Sequence, residues 1–406
     1  MNVLLLTNLY PCIDVSSRGI FITKRLQQYA KFRVQFTAVP VGYGSSGFQR
    51  LVKKVFGGIN YEPLAEHYGV KYLTPGCNGT LEWILVRSFG RISRTLEYSV
   101  YFSYLKRFEK YLERTLVVSS YDIIHAHGMF QLPAGLLAKM MADKLKKPYV
   151  ITLHGDDVNF LMSDRNYYLS ILESASAVIF VSNALLEKAK SFGYSGRNSL
   201  VIPNGYDPEI FKPLDKDEMR RQIGIYENGC KYVGFVGALK EIKRADKLID
   251  IFEKIRQEIG VVRFIVVGDG HLRSRMEKEA KQKGLKVLFT GIVPQEEVAK
   301  YMNAMDVMVL PSRQEGFGAV VIEAQACGTC VVGSNNGGIP EAVGFPEYIV
   351  EDGEDFEERF AQRVADVLRN GYDRETFVSR TKEYTWEKIV SKEIMVYRSI
   401  LNNTFS

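Results

Sequence analysis

Two glutamates, one lysine and one histidine are the residues of this 406-residue chain best suited by type and setting to do chemistry. The stretch PSRQEGFGAVVIEAQACGT carries Glu315 in a glycine-bounded turn and Glu323 inside the helix that AVVIEAQA spells. Carboxylates so placed can accept hydrogen bonds from sugar hydroxyls, one from a transferred sugar and one from a ribose. In isolation they read equally well as surface charges, although Glu323 stands among apolar residues, where an unpaired carboxylate is costly. Gly316, Phe317 and Gly318 lead into the helix, and N–H groups at a helix start can face phosphate oxygens. A second stretch, VGALKEIKR, places Lys240, Lys243 and Arg244 after a strand. Three cations there could neutralise a diphosphate through charge-assisted hydrogen bonds, or simply form a solvated basic helix start. His154, in TLHGDD, ends a strand and enters a loop, the right position for a ligand contact. Arg18-Gly19-Ile20-Phe21 is a glycine loop that either approaches a phosphate or acceptor or makes a turn. Gly268-Asp269-Gly270 and Gly337-Gly338-Ile339-Pro340-Glu341 are further glycine turns, each a weak signal alone.

The elements that must hold these loops are legible as short apolar runs alternating with helical patterns, the mark of parallel sheets covered by helices. The first half offers Val3–Leu6, Val34–Val39, Ile123–Ala126, Tyr149–Leu153, Ala177–Val181 and Leu200–Ile202 as strands. The second offers Tyr232–Gly237, Arg263–Gly268, Val287–Phe289, Val307–Leu310, Cys330–Gly333 and Tyr348–Val350. Each set can build one doubly wound sheet, so the fold class is α/β with two Rossmann-like domains. The joint is Pro203-Asn204-Gly205-Tyr206-Asp207-Pro208, which sets domains at 1–205 and 206–384. In open α/β sheets ligands bind beyond the carboxyl ends of the strands, where every loop named above falls.

Composition bounds the alternatives. Hydrophobic content of 46% and charged content of 25% describe a globular chain, and its length favours two cores over one. No uncharged apolar run approaches the roughly 20 residues needed to span a bilayer. The opening MNVLLLTNLYPC reads as a buried first strand and not a signal peptide. Five scattered cysteines argue against a disulfide framework, so a cytoplasmic protein is expected. Cys327-Gly328-Thr329-Cys330 is a CxxC whose redox or metal reading competes with a structural one. Asp215-Lys216-Asp217 precedes a helix and suits capping.

The net charge of +6 is uneven, with a balance of +10 over residues 1–206 and −4 over 207–406. This is either ordinary surface variation or a sign that the first half faces an anionic surface or phosphorylated acceptor. No recognition motif accompanies the basic residues, so nucleic acid is not an expected partner. Residues 84–114 set Arg87, Arg91 and Arg94 beside Tyr98, Tyr101, Phe102, Tyr104 and Phe108. Such a segment suits peripheral contact with anionic membrane or a lipid-linked acceptor, or it is an amphipathic helix pair covering the first sheet.

Taken in order, DIIHAHG, TLHGDDVN, VSNALLEKA, VIPNGYDPEIFKP, the G-x-L-x-x-x-K stretch, VVGDGHLR, Glu-x7-Glu, EAQACGT and GGIPEAV resemble the pattern of the family 4 retaining glycosyltransferases. The resemblance runs end to end and implies the GT-B fold, two Rossmann-like domains facing a central cleft. It also implies that 385–406 is a helix crossing back to the first domain. By position, Glu315 would hold donor-sugar hydroxyls and Glu323 the ribose. Lys243 would bind the diphosphate with help from the backbone around Gly316–Gly318, and His154 would lie beside the anomeric carbon. The loop at Ile292-Val293 would receive the base, and Gly19 would approach phosphate or acceptor. The sequence departs from the family at Ala238, where arginine is frequent, at Cys330, where proline is usual, and at Arg18-Gly19, where two glycines are common. One diphosphate contact is then either missing or supplied by Lys240 or Arg244.

The implied activity is retaining transfer of a hexose or N-acetylhexosamine in cell-envelope polysaccharide synthesis, of the teichuronic type. The donor would be a nucleotide diphosphate sugar, UDP favoured and GDP the alternative, and the acceptor a saccharide or lipid-linked. No cofactor and no metal are expected, because protein cations meet the charge of the leaving group. The rival readings are a sugar-nucleotide epimerase, a phosphorylase on the same fold, and a non-catalytic sugar-nucleotide-binding partner.

Overall fold

The computed structural model describes residues 1–13, 18–42, 62–73, 81–82, 84–85, 94–130, 132–162 and 166–403. The chain divides into two compact units, Met1–Pro203 with Trp386–Ser406, and Asn204–Thr385.

In the first unit the strands are β1 (Asn2–Thr7), β2 (Gln35–Pro40), β3 (Glu66–His67), β4 (Val70–Lys71), β5 (Ile123–His127), β6 (Tyr149–Leu153), β7 (Ala177–Phe180) and β8 (Ser199–Val201). All but β3 and β4 form one parallel sheet in the order β2-β1-β5-β6-β7-β8. The second unit has β9 (Lys231–Val236), β10 (Val262–Val267), β11 (Val287–Gly291), β12 (Val307–Leu310), β13 (Cys330–Ser334) and β14 (Ile349–Val350). They too form a parallel sheet, ordered β11-β10-β9-β12-β13-β14. Every run expected to be a strand is one, with its ends displaced by at most two residues. The antiparallel β3–β4 pair was not anticipated, because two-residue strands carry no periodicity to read.

Central strands such as Val3–Leu6 and Val307–Leu310 are buried along their whole length, which explains why they are continuous apolar runs. Helices cover both faces. In Ala245–Ile259 the residues Leu248, Phe252 and Ile255 recur at helical spacing and turn inward. Phe252 stacks on Phe264 of β10 with ring centroids 4.2 Å apart, a pairing that adds about 0.5–1.5 kcal/mol beyond burial. The closing helix Trp386–Leu401 belongs to the first unit, where Trp386, Ile389, Ile394 and Tyr397 join the core beside Ile22, Leu26 and Tyr29.

Both sheets contain a reversal. The chain builds β1, adds β2 on one side, and later adds β5 on the other; β9, β10 and β12 repeat the pattern. At such a switch point the loops leaving the two adjacent strands diverge to opposite faces and open a crevice beyond their carboxyl ends. The loops after β9 and β12 therefore border one crevice, and those after β1 and β5 border another.

Three readings settle here as packing. Tyr101, Tyr104 and Phe108 of the helix Arg94–Thr115 are fully buried, so that face covers the first sheet. Tyr98 stays half-buried against Tyr167, and Phe102 lies beneath Lys106. Arg87 and Arg91 lie outside the described residues. No described helix is long and apolar enough to cross a membrane. Cys327 and Cys330 are buried free thiols, and burial pushes both far up from the range where a reactive or metal-binding thiolate forms. Asp215 caps its helix, its carboxylate accepting the Glu218 N–H at 2.8 Å.

Candidate functional site

In the second unit, two loops meet at the switch point. The first leaves β9 through Gly237, Ala238 and Leu239 and makes a single 3-10 turn, Glu241–Lys243. The second leaves β12 and runs from Pro311 to Gly318, where the helix Ala319–Ala326 begins. Arg313 fastens them together. Its N–H donates to the Ile242 carbonyl at 2.9 Å, and its guanidinium grips Asp246 at 2.6 and 2.9 Å. Lys243 Nζ then lies 2.5 Å from Glu315 Oε1, which also accepts from Ser312 Oγ at 3.1 Å. Both bonds fall on Oε1; Glu315 Oε2 has no partner among the described residues. The lysine is a quarter exposed and the glutamate about a tenth, so the pair sits at the rim of the protein and can be reached.

The glutamate loop is braced from behind. Gly338 N–H donates to the Glu315 carbonyl at 3.2 Å. A Cβ on Gly338 would lie 2.4 Å from the Gly316 carbonyl oxygen, so only glycine allows the two backbones to approach this closely. Phe317 is buried and stacks on Tyr384 with centroids 6.0 Å apart, which anchors the loop between Gly316 and Gly318. The role of GGIPE is thus to seat the loop that carries Glu315.

Glu323 sits half-buried in the following helix, its carboxyl group with no hydrogen bond or ion pair among the described residues. Burial alone raises its carboxyl to about 7. Arg244 is placed otherwise than expected. Its guanidinium donates to both Asp352 oxygens at 2.8 and 2.7 Å and lies 3.8 Å over the Phe356 ring. That hydrogen-bonded pairing holds Asp352 down at about 2 and commits the arginine to bracing the loop, not to the crevice. Lys240 is exposed and unpaired among the described residues, which leaves it and Lys243 as the cations of this loop. Ile292, three-quarters exposed, and half-buried Val293 follow β11.

In the first unit, Gly19 takes a left-handed conformation (φ 67°) to open the helix Ile20–Tyr29, with the Leu9 carbonyl oxygen only 2.5 Å from where a Cβ would stand. Asn8, a residue the sequence reading passed over, holds the neighbouring loops. Its amide donates to the carbonyls of Val41 and Leu132 and its oxygen accepts the Ala134 N–H. His154 follows β6, its ring 4.8 Å from that of Phe21. The buried Asp157 carboxylate accepts the N–H groups of His154 and Gly155 and so shapes the turn; burial still lifts it to about 6 against those bonds.

His154 does not stand alone. His127 Nδ1 lies 3.0 Å from its Nε2, and the His125 ring packs against His127 with centroids 4.2 Å apart. Burial, together with the Arg25 cation, pushes all three imidazoles below their ordinary range, His125 to about 4, so all are neutral at pH 7. The two strand histidines had a signal: residues two apart on a strand share a face. His125, His127 and Glu393 bring potential metal-ligand atoms within 4.8 Å of one another. Glu393 is already bonded to Arg25, Tyr29 and Tyr397, and both His125 nitrogens are engaged by Tyr397 and Thr152. Only His127 Nε2 in this donor set has no partner, and the buried Arg25 beside it opposes a cation.

Comparison with known proteins identifies the family. The family model for Glycosyl transferases group 1 matches residues 215–384, and that for Glycosyltransferase Family 4 matches 64–210. A Bacillus subtilis glycosyltransferase named for teichuronic acid biosynthesis, TuaC, is 29% identical over 91% of this chain and 88% of its own. An uncharacterized glycosyltransferase of Methanocaldococcus jannaschii is 31% identical over 70% of this chain and 76% of its own. Among solved structures, Anabaena HepE in complex with UDP superposes with a TM-score of 0.67 at 19% identity, covering 98% of this chain and all of that one. Two reversed parallel sheets, the ordered loop motifs and these matches make the chain a member of the family 4 glycosyltransferases of GT-B fold, an enzyme that transfers sugar from a sugar nucleotide.

Proposed function

We propose that the enzyme transfers a hexose or N-acetylhexosamine, with retention of anomeric configuration, from a UDP-sugar to a saccharide or lipid-linked acceptor in cell-envelope polysaccharide synthesis. The observation that carries the reading is the Lys243–Glu315 pair at the rim of the second unit's switch-point crevice. Lys243 has further N–H donors for diphosphate oxygens, and Lys240 adds a second cation. Glu315 Oε2 accepts from sugar hydroxyls, Glu323 accepts from the ribose, and Ile292 and Val293 lie against the base. N–H groups about Gly316–Gly318 and the following helix start favour the same anion. UDP is supported by the HepE complex and the envelope role by the name of the Bacillus relative. The basic balance of residues 1–206 supports an anionic, membrane-side acceptor on the cytoplasmic face.

In the reaction, the bond between the anomeric carbon and the diphosphate oxygen breaks, and its electron pair leaves with the nucleoside diphosphate. Lys243 and the loop amides stabilise the charge as it develops, the largest single effect in many enzymes. The acceptor oxygen bonds the same face of the anomeric carbon and passes its proton to the departing diphosphate oxygen. His154 hydrogen-bonds the sugar. These cations remove the need for a metal or cofactor.

The test is nucleoside diphosphate release from a panel of UDP- and GDP-sugars, with and without acceptor and with EDTA. Turnover of a UDP-sugar that needs acceptor, survives EDTA and keeps the donor's anomeric proton coupling in the product supports the reading. An inverted product refutes retention, and sugar isomerisation without acceptor makes the enzyme an epimerase.

A further inference from the structure

His127 and His154 form a pair whose protons can be counted. Both rings are neutral, so each carries one N–H and one lone pair. One N–H lies between the facing nitrogens, His127 Nδ1 and His154 Nε2. The outer nitrogens, His127 Nε2 and His154 Nδ1, are buried and have no hydrogen-bond partner. Either tautomeric arrangement therefore leaves one donor and one acceptor unmatched, an exception that needs a reason in a folded protein.

His125 shows the contrast. Its Nδ1 is hydrogen-bonded to the Tyr397 hydroxyl, which also bonds Glu393, and its Nε2 to the Thr152 hydroxyl. Both of its nitrogens have partners. The fixed His125 ring lies against His127, and β5 pairs His127 in register with Thr152, two residues before His154.

We propose that His127 is a positioning residue for His154: it grips the imidazole at Nε2, holds the ring in one orientation, and leaves Nδ1 as the nitrogen able to bond a hydroxyl of the bound sugar. This rests on the assignment of His154 to the sugar, made above. The orphan at His154 Nδ1 then has its partner in the substrate. His127 touches no reacting atom and acts through the neighbouring ring, stacked on it at 5.3 Å with an interplanar angle of 24°.

The test compares His127→Phe, which keeps a ring of similar size, with His127→Asn, whose amide reaches the position of Nδ1. His127→Phe is expected to lower kcat about 10²-fold, the scale of a small misplacement of a reacting group, with donor KM within about twofold. His127→Asn is expected to recover most of that loss. His154→Ala should be no worse when combined with His127→Phe. Nitrogen-15 NMR of the imidazoles reads the grip directly: the His154 Nε2 resonance carries the shift of a hydrogen bond in the wild type and loses it in His127→Phe. A fast His127→Phe enzyme beside a slow His154→Ala one overturns this inference alone. An unchanged His154 Nε2 resonance in His127→Phe overturns it as well. Full activity in His154→Ala overturns the assignment of His154 to the sugar and this inference with it.

Discussion

The crevice loops of the second unit keep their ions and pair them at the rim, while the histidine strands of the first unit hold three titratable rings with no charge on any. In the loops after β9 and β12, Lys243 meets Glu315, Arg313 meets Asp246 and Arg244 meets Asp352, each pair partly open to water. Such pairs can exchange partners with a charged ligand without stranding an ion in a dry interior. The first unit pairs Arg25 with Glu393 in its core and keeps the histidines neutral beside that pair. Ionic loops suit a substrate that arrives and leaves with negative charge. Neutral rings suit hydroxyls, which need direction more than charge.

The sharpest way to break this comparison is to remove one ion from each side. Glu393→Ala strands Arg25 in the core and is expected to cost about 3–5 kcal/mol in urea unfolding, the usual penalty for half a buried pair. Lys243→Ala, by contrast, should leave unfolding nearly unchanged and lower kcat about 10²–10³-fold in a nucleoside diphosphate release assay. Equal effects of the two changes on stability would erase the distinction. Gly338→Ala pushes a methyl group into the Gly316 carbonyl and should cost about 1–3 kcal/mol while raising donor KM, because the displaced loop carries Glu315.

Glu323 sharpens the comparison through pH. Its raised carboxyl loses stability as pH climbs from the ordinary carboxylate range to about 7, since the folded state binds the proton more tightly than the unfolded one. Glu323→Gln should therefore raise Tm more at pH 8 than at pH 5. A ribose hydroxyl donating to the carboxylate would favour ionisation, so nucleotide binding should tighten from pH 6 to pH 8. Protons should be released near pH 7, seen by calorimetry in buffers of different ionisation heat, and that release should vanish in Glu323→Gln. The smallest effect belongs to the exposed Lys31–Glu387 pair, where Lys31→Met should change stability by less than about 1 kcal/mol.

What the sequence disclosed and what it concealed divide along chain distance. The strands, the helix Ala319–Ala326 and the loop positions follow from local pattern, since apolar runs and glycine turns are written in neighbouring residues. The commitment of Arg244 to Asp352 spans 108 positions, and the seat that Gly338 makes for Glu315 joins two loops by backbone contact, which no side-chain pattern records. The pairing of His127 with His154 depends on β5 and β6 being adjacent and in register. The aromatic segment was ambiguous for a different reason: an amphipathic helix looks alike whether it covers a sheet or a membrane, and only the burial of Tyr101, Tyr104 and Phe108 decides for that face.

The last helix gives the first unit an unusual order of birth. Residues 204–385 can close their own core as they leave the ribosome, but the first unit cannot, because Arg25 waits for a partner 368 residues downstream. At ~5–20 residues per second that wait is about 20–70 s, during which a half-made sheet holds an unmatched cation and an uncovered face for Trp386 and Tyr397. The unit that is made first is finished last, so a chain cut short before Glu393 would present the cell with one sound domain and one unfinished one.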